Sequence, residues 1–219
     1  MNGVENRVYY IGPMFRGERL SAGRRRQFHQ IGVENVGRMA PALDAESIVM
    51  LCHFLNEIGA SGFKLLLNTR GIQEDRKPAE DALREHFAPR ASSMCEDCRN
   101  RLERNVWRIL DCKQPECQAH IACAPDGASL FAAPSREYFD KVCTILSSQN
   151  IDFTVDPRLV RGLDYYVHTV FELTHTGLGG QNAIAGGGRY ELNLPGLNRP
   201  VCGVGFAAGM ERLLMVRDA

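Results

Sequence analysis

The spacing of apolar residues changes along the chain and predicts separate blocks of strand and helix. Residues 7–36 predict two strands joined by an arginine-rich turn at 16–26. Residues 44–58 predict a helix, because apolar side chains recur every three or four positions, and Asp44 is a suitable N-cap. A short apolar run at 63–67 then predicts a buried strand.

The middle of the chain has a different character. Charged helical sequence dominates from 71 to 134, where Pro78 is well placed as the first residue of a helix. A second amphipathic helix is predicted at 135–149, and a final helix begins within 209–216. Three more strands are predicted, at 151–155, 165–174 and 201–207.

These blocks predict an α+β fold with a largely antiparallel sheet, because strands bracket helices without a regular βαβ alternation. The change in character predicts a helical module inserted into a single core. We therefore expect three parts: a first part of the core at 1–70, the insertion at 71–134, and a second part of the core at 135–219.

The composition limits the classes of protein to which the chain can belong. The 219 residues can form a substantial core, and a net charge of zero does not exclude RNA binding, since charge can be local. We find no segment that resembles a secretory signal and no apolar run of the roughly 20 residues needed to cross a bilayer. We expect a cytoplasmic protein without membrane association. Positive charge is concentrated in five arginines: Arg16, Arg19, Arg24, Arg25 and Arg26.

Four of the eight cysteines are closely grouped in the charged middle region. Cys95 and Cys98 are separated by two residues, Cys112 follows after thirteen, and Cys117 after four more. This spacing is compatible with a tetrahedral structural Zn²⁺ site. Four reduced thiols around a helical turn are the alternative, and the sequence leaves both open.

The strand predicted within 27–36 has one face suited to binding a small polar ligand. Period-two alternation places Phe28, Gln30, Gly32 and Glu34 together on that face. They offer an aromatic surface, an amide, a gap and a carboxylate for an amino group. A half-solvated strand with one exposed aromatic residue is the alternative.

Three further segments carry candidate binding residues. Arg161 can fork onto a phosphate or a carboxylate, and Tyr165 and Tyr166 supply flat apolar surfaces with hydroxyl tips. The glycines at 186–188 either let a ligand approach the backbone or form an ordinary turn. Arg212 falls in the first turn of the predicted final helix, where a surface arginine is the alternative interpretation.

Taken together, these segments resemble the catalytic domain of a class II aminoacyl-tRNA synthetase, specifically histidyl-tRNA synthetase. The stretch from Tyr10 through Phe15-Arg16-Gly17-Glu18-Arg19 to Glu34 resembles motif 2, and Gly209-Met210-Glu211-Arg212-Leu213 resembles motif 3. Residues 161–166 resemble the histidine-specific segment, and 186–190 resemble another stretch typical of histidyl enzymes.

The resemblance implies an antiparallel sheet flanked by helices and the activity of a histidine–tRNA ligase. Histidine would be activated by ATP with Mg²⁺ through histidyl-adenylate, and then ligated to tRNA(His). Arg16 and Arg161 would be the catalytic residues at the α-phosphate. The ATP-binding residues would be Arg16, Glu18, Arg24, Phe28 and Arg212. Histidine would be bound by Gln30 and Glu34, at its α-ammonium, and by Arg161, Tyr165, Tyr166 and Tyr190.

The chain also departs from the family pattern. Motif 1, a Glu-Gly-Thr segment upstream of motif 2, and a C-terminal anticodon-binding domain are absent from the sequence. We therefore expect a truncated chain that activates histidine poorly by itself. Family members form homodimers through motif 1, so we expect stable dimerisation of that type to be lost.

Two other functions are compatible with the same resemblance. One is a non-catalytic, synthetase-like regulatory subunit of ATP phosphoribosyltransferase. The other is an RNA-binding or sensing module built on an inactive synthetase core. The arginines and tyrosines named above argue against the regulatory subunit, because a protein without catalysis has no need of the complete set.

Overall fold

The computed structural model describes residues 5–17, 25–160, 165–178 and 182–217. No helix in these ranges is both long and apolar enough to cross a membrane. The strands are β1 (Asn6–Phe15), β2 (Gln27–Val36), β3 (Lys64–Thr69), β4 (Thr154–Val155), β5 (Tyr166–Thr174), β6 (Ala183–Leu192) and β7 (Val201–Gly209). The α-helices are α1 (Pro41–Glu57), α2 (Gln73–Phe87), α3 (Glu96–Arg104), α4 (Pro115–Ala122), α5 (Ala133–Ser148) and α6 (Met210–Val216). Short 3₁₀ turns occur at Ala88–Ser93, Val106–Ile109, Gly127–Leu130 and Thr176–Leu178.

The seven described strands form one sheet in the order β1-β2-β7-β6-β5-β3-β4. Every neighbouring pair is antiparallel except β3 and β4, which run parallel. The predicted α+β fold with a largely antiparallel sheet is therefore confirmed. The two strands predicted within 7–36 are also confirmed, as the β1–β2 pair.

The sequence missed β6 as a strand. The glycines at 186–188 lie in its middle, where they pair with β5 on one side and with β7 on the other. The predicted strand at 151–155 is too long, because only Thr154 and Val155 pair with β3. Glycine runs weaken a strand prediction, since glycine has low strand propensity and often marks a turn.

Alternate residues of β2 lie on opposite faces of the sheet. Ile31 and Val33 of β2 pack on the main apolar core, which we call the back face of the sheet. Phe28, Gln30, Gly32 and Glu34 alternate with them, so they define the front face. Helices α1, α5 and α6 contribute to the back-face core, which includes Leu51, Leu55, Val142, Leu146, Phe171, Phe206 and Leu213.

A fully buried ion pair joins the helical layer to the centre of the sheet. The Arg189 Nε of β6 donates to the Asp44 Oδ1 of α1 at 2.8 Å, and Nη2 of the same guanidinium donates to the same oxygen. Arg189 Nη1 also donates to the Arg38 carbonyl at 2.7 Å. The prediction that Asp44 caps α1 is wrong, because the helix begins at Pro41 and Asp44 turns inward to neutralise the arginine.

Helix α2 begins five residues earlier than predicted. Asp75 accepts a hydrogen bond from the Ile72 N–H at 2.9 Å, which caps the helix so that it begins at Gln73. Pro78 therefore lies inside α2 and is not its first residue. This corrects the prediction, which relied on proline preference alone.

Residues 71–134, which were predicted as an insertion and are called so below, have their own apolar cluster. Its buried members come from positions between 79 and 131 and are separate from the back-face core; they include Leu83, Phe87, Cys98, Val106, Trp107, Cys117 and Phe131. The division of the chain at 70/71 and at 134/135 stays a prediction.

The insertion leaves the sheet next to an irregularity in β5. His168 has φ of 48° and lies where the β5–β6 register shifts between Tyr166 and Val170. The His168 N–H donates to the Gly71 carbonyl at 2.7 Å, and the Arg70 N–H donates to the His168 carbonyl at 2.6 Å. The His168 ring stacks on Tyr138, with centroids 4.0 Å apart. Main-chain bonds thus tie the base of the insertion to a bulge in β5.

The buried ion pair should dominate the response to charge removal. Replacing Asp44 with Asn leaves the Arg189 guanidinium buried without a counter-charge, and we expect a loss of about 3–5 kcal/mol in the free energy of unfolding. Asp81→Asn, which removes the exposed Lys77–Asp81 pair within α2, is the control and should cost less than about 0.5 kcal/mol. Urea denaturation measures both; equal losses would contradict the role of the pair.

Stability should also fall as the pH falls, through His168. Burial, with the nearby Arg189 charge, lowers the pKa of His168 from 6.5 to about 4, while Asp75 opposes the shift. The unfolded chain therefore takes up the proton first. This histidine alone should cost on the order of 2 kcal/mol between about pH 7 and pH 5. The pH slope of urea denaturation should flatten in His168→Asn and not in His53→Asn, whose histidine is exposed. Identical slopes would rule the effect out.

Candidate active site

A cavity of about 420 Å³ opens on the front face of the sheet. It crosses five strands, because its walls come from β1, β2, β7 and β6 and from the start of β5. The side chains that line it are Tyr10, Gln30, Glu34, Tyr165, Tyr166, Tyr190 and Leu192, and the strand segments around Gly186, Gly188 and residues 205–207 form its floor.

Glycines on the front face make room for long side chains to lie across neighbouring strands. A Cβ at Gly32 would stand 2.3 Å from the Tyr10 ring, and one at Gly203 would stand 2.5 Å from the Tyr190 ring. A Cβ at Gly205 would stand 2.1 Å from the Glu34 carboxylate. The floor of the cavity therefore depends on residues without side chains.

Glu34 is the acidic group of the cavity. Its Oε2 is buried and has no hydrogen-bond partner among the described residues. Burial raises the pKa of Glu34, and a hydrogen bond from the Tyr190 hydroxyl opposes that shift. Burial, together with the Glu34 charge, raises the pKa of Tyr190. A buried carboxylate oxygen without a partner favours a ligand that brings an N–H or a positive charge.

Three tyrosines form one wall of the cavity. The ring of Tyr165 lies 4.9 Å from that of Tyr166 and 6.2 Å from that of Tyr190. Tyr166 and Tyr190 are direct partners across the β5–β6 pair. The structure thus brings together all three tyrosines that the sequence marked as candidates, next to Glu34.

Gln30 and Tyr10 continue the cavity toward β1. The Gln30 Nε2 donates to the Tyr10 hydroxyl at 3.3 Å. Sequence reasoning did not identify Tyr10 as a site residue. The β1–β2 register, which pairs Tyr10 with Gly32, was the signal that could have found it.

Arg16 and Phe28 lie on the front face at the end of the β1–β2 pair. The guanidinium of Arg16 stands over the Phe28 ring, 3.7 Å from its centroid. Arg16 Nε is buried without a hydrogen-bond partner in the part of the chain that the structure describes. An arginine guanidinium that is held on an aromatic ring beside an open face of the sheet can bind a phosphate.

Arg212 approaches the same face from α6. Its Cδ lies 4.0 Å from where a Cβ at Gly209 would be, and Gly209 is the β7 partner of Gln30. Its Nη1 donates to the Ala183 carbonyl at the start of β6. The first turn of α6 is also fixed to β2, because the His29 N–H donates to Glu211 Oε1 at 2.9 Å.

Three predicted site residues lie outside the described residues. They are Glu18, Arg24 and Arg161. The convergence of Arg161 with the other arginines stays a prediction.

The four grouped cysteines do converge. The sulfur atoms of Cys95, Cys98, Cys112 and Cys117 all lie within 4.8 Å of one another. The cluster belongs to the insertion and could hold a metal ion.

Known proteins resemble this chain over nearly all of its length. The family model described as histidyl-tRNA synthetase matches residues 2–213. The histidine–tRNA ligase of Syntrophotalea carbinolica is 42% identical over 213 residues, which are 97% of this chain and 51% of that protein. The histidine–tRNA ligase of a Geobacillus species is 46% identical over 216 residues, again 97% and 51%. The chain thus spans about half the length of the curated relatives it matches.

Solved structures give the same result. The apo histidyl-tRNA synthetase of S. aureus matches with a TM-score of 0.72 and 37% identity, over 96% of this chain and 50% of that one. A Bacillus halodurans protein described as an ATP phosphoribosyltransferase regulatory subunit/histidyl-tRNA synthetase matches with a TM-score of 0.65 and 20% identity, over 100% and 60%. The second likeness shows the fold alone.

The glycine floor can be tested by adding one methyl group. Gly205→Ala would press on Glu34 Oε2 and on the Val33 carbonyl, which is 2.5 Å from the new Cβ. We expect a loss of about 1–3 kcal/mol in the free energy of unfolding, measured with urea. Gly12→Ala on β1 is the matched control, because nothing lies within 4 Å of its Cβ, and it should be neutral. A neutral Gly205→Ala would contradict the packing described.

Proposed function

Because the chain belongs to the histidyl-tRNA synthetase family, we propose that its front-face cavity binds histidine and ATP and forms histidyl-adenylate. The observation that carries this proposal is the continuity of the front face. Glu34 occupies one end with the tyrosine wall, and its buried Oε2 has no hydrogen-bond partner among the residues that the structure describes; Arg16 and Arg212 approach the other end. An amino-acid pocket and a phosphate-binding region therefore share one sheet surface.

Histidine would lie in the cavity beside Glu34. The carboxylate supplies an acceptor for an N–H of the substrate, and Gln30 adds a polar contact on the same face. The hydroxyl tips of Tyr165, Tyr166 and Tyr190 offer hydrogen bonds to the imidazole. Polar walls give strong discrimination, because an apolar amino acid would leave these groups unpaired.

ATP would lie along the ends of β1 and β2 and the start of α6. Phe28 would stack on the adenine, and Arg212 would bind the terminal phosphate and cover the other adenine face. In the structure Arg16 covers Phe28, so ATP would displace the guanidinium from the ring toward the α-phosphate. By the resemblance to motif 2, Glu18 would approach the adenine amino group and Arg24 would be a further ATP contact.

Adenylate formation requires that histidine and ATP be held in position and that positive charge lie around the α-phosphorus. The histidine carboxylate attacks the α-phosphorus, the bond to pyrophosphate breaks, and pyrophosphate leaves with the electron pair. Arg16, and Arg161 by its match to the family segment, would stabilise the negative charge that develops around phosphorus. Mg²⁺, bound through the ATP phosphate oxygens, would neutralise part of their charge. The histidyl group would then pass to the terminal adenosine of tRNA(His).

A regulatory subunit of ATP phosphoribosyltransferase gains no support from a specific feature of the site. The likeness to the Bacillus halodurans protein concerns the fold, and the arginines and tyrosines described are those that adenylate formation would use. Loss of family-type dimerisation stays a prediction.

The four-cysteine cluster supports a second assignment. We propose that it binds a structural Zn²⁺ ion, because four cysteine thiolates within reach of one point are a common structural zinc site.

Histidine-dependent ATP–pyrophosphate exchange tests the main proposal. We expect the chain to exchange at a rate below that of a full-length synthetase, with histidine and not with other amino acids. Arg16→Ala and Arg212→Ala should each lower the rate by roughly 10²–10³-fold, because each removes a charge from the phosphate region. Arg158→Ala, which removes an exposed arginine paired with Asp156, is the control and should not change it.

Two outcomes would contradict these expectations. No histidine-dependent exchange above background, or exchange unaffected by both arginine variants, would refute the proposed function. A rate equal to that of a full-length enzyme would refute the expected impairment of the chain alone.

A further inference from the structure

Apart from the fifteen-residue α2, the helices of the insertion are too short to be stable alone. Helix α3 has nine residues and α4 has eight, and a single 3₁₀ turn, Val106–Ile109, lies between them. Helices of this length are marginal in water, and small modules usually need a disulfide or a metal ion to hold them. An additional interaction at α3 and α4 would therefore add to the stability that the apolar cluster gives the insertion.

The four cysteines lie where such an interaction would act. Cys95 is the N-cap of α3 and Cys98 is in its first turn, Cys112 follows the 3₁₀ turn Val106–Ile109, and Cys117 is in the first turn of α4. Bonds from one ion to all four would join the three short elements at a single point.

The sulfur positions fit one tetrahedral ion. Ligands at about 2.3 Å from Zn²⁺ stand about 3.8 Å from one another in a tetrahedron. The Cys95 and Cys112 sulfurs are 3.8 Å apart, and no pair in the cluster exceeds 4.8 Å. A disulfide would need about 2.05 Å, and all four cysteines are free thiols.

Backbone groups already point at the sulfurs. The Cys95 N–H donates to the Cys117 Sγ at 3.4 Å, and the Gln114 N–H donates to the Cys112 Sγ at 3.4 Å. Such hydrogen bonds orient ligands and offset the charge of a metal–thiolate centre. Cys98, Cys112 and Cys117 are buried, so the centre would be shielded from solvent.

The insertion also contacts the tyrosine wall. The Arg76 guanidinium of α2 donates to the Tyr166 carbonyl. Arg70 stacks on Trp107, 4.1 Å from its centroid, and Trp107 belongs to the same buried cluster as three of the cysteines. The Arg70 N–H bonds the bulge at His168. Tyr166 therefore lies between the bulge and an arginine supplied by the insertion.

We infer that a Zn²⁺ ion bound by Cys95, Cys98, Cys112 and Cys117 folds the insertion, and that the folded insertion holds Tyr166 in place through Arg76. Each thiol loses its proton as the ion binds, so metal uptake releases protons and no oxidant is needed. Arg76 is a positioning residue, since it acts through Tyr166. The zinc part is independent of catalysis, whereas the positioning part rests on the proposed histidine site.

Metal content and thermal stability test the zinc part. Protein purified under reducing conditions should contain about one zinc ion per chain by elemental analysis, and a strong chelator should lower the melting temperature. Cys98→Ser should lose the ion and the chelator effect. Cys123→Ser is the matched control, because Cys123 is an exposed cysteine of the insertion outside the cluster, and it should keep both. Substoichiometric zinc together with a melting temperature that the chelator does not change would overturn this part.

Calorimetric titration with histidine tests the positioning part on zinc-loaded protein. Arg76→Ala should weaken histidine binding about tenfold, as expected for a lost hydrogen bond from a charged donor, with ATP affinity and zinc content unchanged. Arg76→Lys, which keeps a cationic donor, should recover part of the affinity. Unchanged histidine affinity in Arg76→Ala would overturn the role of Arg76. Absence of histidine binding in the unsubstituted chain would instead refute the proposed site and leave the zinc result standing.

Discussion

The cavity depends on a steric constraint at the centre of the sheet. Front-face positions of β2, β6 and β7 carry glycine wherever a long side chain from a neighbouring strand crosses them, as Tyr10 crosses Gly32 and Glu34 crosses Gly205. A Cβ at either glycine would stand less than 2.5 Å from those side chains. The sheet can therefore carry tyrosines and a carboxylate flat against its own backbone. These side chains line one space, which is large enough for a small ligand.

The opposite face supplies the rigidity that this arrangement requires. The buried Asp44–Arg189 pair joins α1 to β6, one position before Tyr190 enters the cavity. Glycine lowers the stability of a strand, because it increases the backbone entropy of the unfolded chain and adds no side chain to pack. The ion pair and the apolar core behind it offset that cost. On β6, Arg189 thus makes a structural contact on one face, and the next residue, Tyr190, lines the cavity on the other face.

The sequence predicted the fold class, the β1–β2 pair and the front-face grouping of Gln30 with Glu34, because period-two alternation is a local property. It failed where long-range contacts decide the outcome. Asp44 looked like a helix cap because its partner, Arg189, is distant in sequence. The strand β6 was missed because its glycines have low strand propensity. They make room for groups of the neighbouring strands β5 and β7. Tyr10 was missed because only the register of β1 against β2 brings it to the cavity.

We propose that the front-face cavity recognises histidine through the Glu34 carboxylate. Calorimetric titration with a non-hydrolysable analogue of histidyl-adenylate tests it most directly, because such an analogue fills both ends of the face. We expect one binding site per chain and an affinity that falls roughly 10–100-fold in Glu34→Gln, which keeps the shape of the side chain and removes its charge. Equal affinity in both proteins, or no binding to the unsubstituted chain, would contradict it.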